Sequence, residues 1–99
     1  MSHHEEAIAA IKARKYKQAA EYLIFEFLGD RVISLKPKQI LRLQQQVAHE
    51  LQQQRNRIVQ WKYSGRMKIN NRAELAEEIY ERTLSALEPF RDSEDAKEV

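Results

Sequence analysis

Ninety-nine residues suffice for one domain with a single core and leave no room for a second. A hydrophobic share of 42% supports packing, 32% charged residues and a mean hydropathy of −0.72 call for a wetted surface, and no apolar run reaches the roughly 18 residues of a membrane span. The lack of cysteine excludes disulfides, thiolate metal sites and cysteine nucleophiles, and the start Met1 to Glu6 has no secretory pattern, so a cytoplasmic protein without membrane contact is expected.

Only Gly29, Gly65, Pro37 and Pro89 break the chain, so long helices with few joints are expected. Ser2 with Glu5 fits a capping box, in which hydroxyl and carboxylate each satisfy an amide freed at a helix start. Ala7, Ile8, Ile11, then Ala19, Ala20, Leu23, Ile24 and Phe27 keep helical spacing as far as Gly29, either as one bent helix or as two short ones. The stretch KYKQAAEYLIFEFL, from Lys15 to Leu28, loosely resembles the second helix of a tetratricopeptide hairpin, with Tyr16 and Ala19 at the aromatic and small positions. It is one partial unit with no second copy, so a helical hairpin is the reading and not that family.

Arg31 to Leu35 is short and β-branched, which predicts an extended segment. Pro37 then suits the first turn of a helix, because its missing amide is one the helix would leave unused. Ile40, Leu43, Val47, Leu51, Ile58 and Trp61 continue in three- and four-residue steps toward Gly65, interrupted by Gln54. Such a helix spans roughly 40 Å, long for a domain of about 13 Å radius of gyration, so it must kink, project or pack against a second copy; a homodimer through this helix is expected. The runs Gln44 to Gln46 and Gln52 to Gln54 read as its solvated face. Arg66 to Asn70 alternates polar and apolar, a second extended candidate. Asn71 with Glu74 then caps a last helix bearing Leu75, Ala76, Ile79, Tyr80, Thr83, Leu84 and Leu87. The resulting fold class is mainly α: a small bundle of three or four helices, one long and central, with at most two extended segments, 31–35 and 66–70. Residues 1–90 make a single helical domain and residues 91–99 an acidic disordered tail.

The net charge of +2 conceals a strong asymmetry. Residues 1–30 carry −1, residues 31–73 carry +9 and residues 74–99 carry −6. No acid falls between Leu51 and Ala73, where Arg55, Arg57, Lys62, Arg66, Lys68 and Arg72 do, with Trp61 and Tyr63 among them. These six cations are the candidate nucleic-acid contacts, since phosphates bind arginine and lysine by charge-assisted bonds and counterion release. Trp61 and Tyr63 are candidate stacking groups, although Trp61 also lies in phase with Leu51 and Ile58 and suits the core. Two alternatives stand beside this: the basic face docks on an acidic partner protein, or the acidic last helix and tail neutralise it.

Traces of catalysis are missing, and neither a metal nor another cofactor is expected. Two glycines 36 positions apart cannot make a phosphate-cradling loop. His49-Glu50 begins like the helical zinc-protease motif, yet Gln53 stands where its second histidine must fall. His3 and His4 are adjacent and point apart on a helix, which disfavours a metal site. Glu74, Glu77, Glu78 and Glu81 suit the solvated first turns of a helix, where acids favour the macrodipole. A helix-turn-helix needs a link of about three or four residues, and Ser64 to Asn71 is longer. The expected function is therefore that of a small non-enzymatic regulatory or accessory protein that binds nucleic acid, DNA or RNA, through its central basic segment.

Overall fold

The computed structural model describes residues 3–90; the Ser2 cap and the 91–99 tail lie outside them. Four α-helices make the fold: α1 (His3–Lys12), α2 (Tyr16–Leu28), α3 (Pro37–Tyr63) and α4 (Arg72–Leu87). Short 3-10 turns follow α2 (Gly29–Ser34) and α4 (Glu88–Phe90), and no strand occurs among the described residues. Among the described residues no helix is long and apolar enough to cross a membrane.

The first two helices are separate, and their joint shows why the sequence left this open. The amide of Lys15 donates to Ala10 O (2.9 Å) and that of Arg14 to Ile11 O (3.0 Å), the paired bonds of a Schellman helix end. That end needs a left-handed residue, ordinarily glycine, and Arg14 fills it at φ 60°. α3 ends the same way, with Arg66 donating to Trp61 O and Gly65 to Lys62 O, and there the left-handed residue is glycine at φ 81°. A search for glycine finds the second end and misses the first.

Residues 31–35 do not form the expected extended segment: residues 31–34 lie in the 3-10 turn and only Leu35 has extended backbone. A strand would place residues 33 and 35 on one face, yet Leu35 is buried while Ile33 is 85% exposed. Val32 and Leu35, three apart, are the pair that turns inward, as a three-residue turn requires, and Ser34 Oγ donates to Arg31 O at 2.9 Å to close it. Residues 66–70 do keep their alternation without pairing: Met67 and Ile69 pack on the core, while Arg66, Lys68 and Asn70 face solvent. This link runs back along the molecule, because Arg72 shares a cavity with Arg55, two turns before the end of α3.

The start of α3 follows the sequence rules: Pro37 occupies the first turn and Gln39 Oε1 accepts from the Lys36 amide at 2.9 Å. At α4, Asn71 Oδ1 accepts from the Glu74 amide (2.9 Å) while Glu74 Oε2 accepts from the Asn70 amide (2.8 Å). With 27 residues, α3 matches the longest extent of the molecule, 42 Å. Its stripe of Val47, Leu51 and Ile58 is buried by the chain's own helices, mainly α2 and α4, around Leu23, Ile24 and Ile79. Its glutamines are not all solvated. Gln44 Nε2 reaches across to Lys17 O and Glu21 Oε1 on α2, both at 3.1 Å, and Gln54 is buried, donating to Glu50 Oε1 at 2.9 Å. Four others, Gln45, Gln46, Gln52 and Gln53, are exposed as expected.

One buried side-chain polar atom is unsatisfied among the described residues. Thr83 is fully buried and its Oγ1 has no hydrogen-bond partner. Burying an unpaired hydroxyl costs about 1–3 kcal/mol, so Thr83→Val, which keeps the shape and removes the hydroxyl, should raise the unfolding free energy by roughly 1 kcal/mol in urea titrations.

Candidate nucleic-acid interface

Five of the six candidate cations, Arg57, Lys62, Arg66, Lys68 and Arg72, are exposed, and Arg55 is half-buried. They form groups and not one row. Arg55 and Lys62, seven apart, fall on one flank of α3, whereas Arg57, two positions on from Arg55, is turned by about 200°. Lys62 and Lys68 stand together across an open groove floored by Met67 and Ile69, with Gly65 at its edge. Arg55 and Arg72 meet in a second, smaller cavity beside Lys12, Arg14 and Tyr16. Lys12 and Arg14 belong to a stretch whose sequence charge is nearly balanced, so the basic segment alone does not point to them.

The two aromatic residues part company. Tyr63, at the end of α3, is 85% exposed beside Lys62. Trp61 is half-buried against the core, and the Arg82 guanidinium lies 4.8 Å from its ring centre. Arg82 is held there by Glu78, with Nε to Oε1 at 2.7 Å.

Three acids of α4 have partners other than the six cations. Glu74 accepts from Asn70, Glu77 Oε1 lies 3.6 Å from His4 Nε2, and Glu78 binds Arg82. None of the six candidate cations forms an ion pair among the described residues. Lys68 nevertheless lines one groove with Glu74, Glu77 and Glu78, so the acids of α4 border the basic segment without an ion pair to any of the six cations among the described residues.

The histidines take up ring contacts. His3 stacks on Phe25 at 5.3 Å and His4 sets its edge on Tyr80 at 4.4 Å. No cluster of three or more potential metal ligands occurs among the described residues, and His49 is exposed on α3. Burial first, then the carboxylates of Glu26, Glu81 and Glu77, pushes the Tyr80 hydroxyl up to about 12, which keeps it protonated at neutral pH. Comparison with family models, with curated proteins and with solved structures finds no match, so the functional reading rests on the residues themselves.

Proposed function

We propose that this chain is a non-enzymatic, cytoplasmic, regulatory or accessory protein that binds nucleic acid through its central basic segment. The observation that carries the reading is the electrostatic one: between Leu51 and Ala73 the chain presents six cations, no acid, and no ion pair among the described residues. Unpaired surface cations are hydrated and ready to exchange counterions for phosphates, and that exchange drives sequence-independent binding. The groove between Lys62 and Lys68 takes the backbone, Arg66 and Arg72 extend its reach, and exposed Tyr63 supplies a face on which a base can stack.

The test is fluorescence anisotropy of a labelled oligonucleotide, single-stranded and duplex, against the protein and its Arg66→Gln/Lys68→Gln variant. Each phosphate contact contributes about 0.7–0.9 to the slope of log affinity against log salt, so the double variant should flatten that slope by roughly one to two units. Both residues are exposed on the link, and circular dichroism should be unchanged. An unaltered slope would move the interface elsewhere. Binding carried instead by an acidic protein would survive nuclease treatment of a lysate in a pull-down, and nucleic-acid-mediated capture would not.

The proposed homodimer through α3 has a narrow footing, because the chain covers most of the apolar stripe itself. It would have to seat on Leu41, 55% exposed, with Ile33 nearby in sequence. Light scattering at micromolar concentration decides it: twice 11.7 kDa supports the dimer, and 11.7 kDa overturns it.

A further inference from the structure

The fold gathers four cations from distant parts of the chain around one cavity. Lys12 ends α1, Arg14 occupies the turn after it, Arg55 lies in the second half of α3 and Arg72 opens α4. Tyr16 and the apolar Ile11, Leu75, Ala76 and Ile79 complete the wall, no carboxylate lines it, and none of the four cations forms an ion pair among the described residues. Like charges brought together repel, and an anion seated between them relieves that repulsion.

Size and strain narrow the ligand. The cavity measures about 40 Å³. A water centre needs roughly 10–15 Å³, so the cavity has room for a compact tetrahedral group. Three guanidiniums and an ammonium offer more donors than the two oxygens of a carboxylate accept, whereas a phosphate dianion presents three terminal oxygens. Arg14 adds an independent observation. It holds a left-handed backbone position, φ 60°, where glycine would be free of strain and where α3 does use glycine. A strained residue persists where its side chain has a task, and the side chain here lines the cavity.

We infer that this cavity is a binding site for a phosphate monoester group, held by Lys12, Arg14, Arg55 and Arg72. The site shares Arg55 and Arg72 with the proposed nucleic-acid surface but does not rest on it, since the end phosphate of a nucleic acid and a free phosphorylated small molecule present the same chemistry.

The experiment is a titration of the full chain with inorganic phosphate, followed by melting temperature and by amide shifts in NMR, against sodium chloride at matched ionic strength. The expected result is a saturable rise in Tm, with shifts centred on residues 12–16, Arg55 and Arg72. Arg55→Gln should weaken phosphate binding at least about tenfold, as loss of a charge-assisted contact does. Arg14→Gly is the second variant, chosen because it relieves the backbone: it should raise Tm without ligand and also lose phosphate affinity, a combination that failure to fold cannot produce. A rise in Tm no larger than that given by chloride, or full phosphate binding in both variants, overturns the site. Oligonucleotides with and without a 5′ phosphate then separate the sources. Preference for the phosphorylated end assigns a nucleic-acid terminus, and equal binding of the two with phosphate still titrating the cavity assigns a small phosphorylated molecule. Loss of the phosphate effect with salt-sensitive oligonucleotide binding intact would sink this site alone.

Discussion

Leu51→Ala should lower the unfolding free energy by about 3–5 kcal/mol, the largest change expected from a single core truncation in this chain. Leu51 is fully buried on the inner stripe of α3, between Val47 and Ile58, where the long helix packs on its neighbours. Truncation removes the transfer free energy of the lost methyl and methylene groups and leaves a cavity, because close-packed neighbours on fixed helices collapse only in part. A domain of this size has about 5–15 kcal/mol of stability in all, and each kcal/mol moves Tm by roughly 4–8 °C, so the melting temperature should fall by more than about 10 °C. Leu41→Ala is the control on the same helix. At 55% exposure Leu41 makes few contacts, and its loss should stay within about 0.5 kcal/mol. Equal effects of the two substitutions in urea unfolding would mean that α3 does not pack by the face described.

Trp61→Ala and Tyr63→Ala should give opposite phenotypes although the residues are two apart. Trp61 is half-buried against the core, with the Arg82 guanidinium over its ring, so its truncation should cost about 2–3 kcal/mol of stability through lost packing and a lost cation–π contact. Tyr63 is 85% exposed, and its truncation should leave stability within about 0.5 kcal/mol. Base stacking on an aromatic ring contributes about 1–3 kcal/mol, so Tyr63→Ala should weaken single-stranded oligonucleotide binding roughly 5- to 150-fold. Thermal melts and anisotropy on both variants read the two quantities separately. Unchanged oligonucleotide affinity in Tyr63→Ala would remove stacking from the account and leave phosphate contacts alone.

Features fixed by a few adjacent residues were legible in the sequence. Pro37 at the start of α3 and the Asn71–Glu74 cap of α4 each depend on local backbone chemistry, and each stands where the sequence places it. The helix end at Arg14 was hidden because an arginine holds a conformation that sequence rules reserve for glycine. In residues 31–35 β-branching favours a strand, but spacing decides the structure: Val32 and Leu35 are the inward pair, three apart and not two. Composition places Gln44 and Gln54 in solvent, whereas Gln44 reaches across to α2 and Gln54 is buried beside Glu50 of its own helix.

The candidate site divides along the same line. A run of cations without acids is visible in one dimension, and five of the six prove exposed. The gathering of Lys12 and Arg14 with Arg55 and Arg72 is purely tertiary. It depends on the link after Gly65 running back to bring the start of α4 beside the α1–α2 turn, and no local pattern encodes that path.

If the unpaired cations between Leu51 and Ala73 bind a polyanion by counterion exchange, oligonucleotide affinity must depend steeply on salt. Anisotropy titrations of the full chain between about 50 and 200 mM salt should give a straight line of log affinity against log salt. If Lys62, Arg66, Lys68 and Arg72 each contact a phosphate, its slope should lie near −2.8 to −3.6, at about 0.7–0.9 per contact. Absence of binding at the low-salt end, or an affinity indifferent to salt, would contradict the account, and the basic face would then belong to an acidic protein surface.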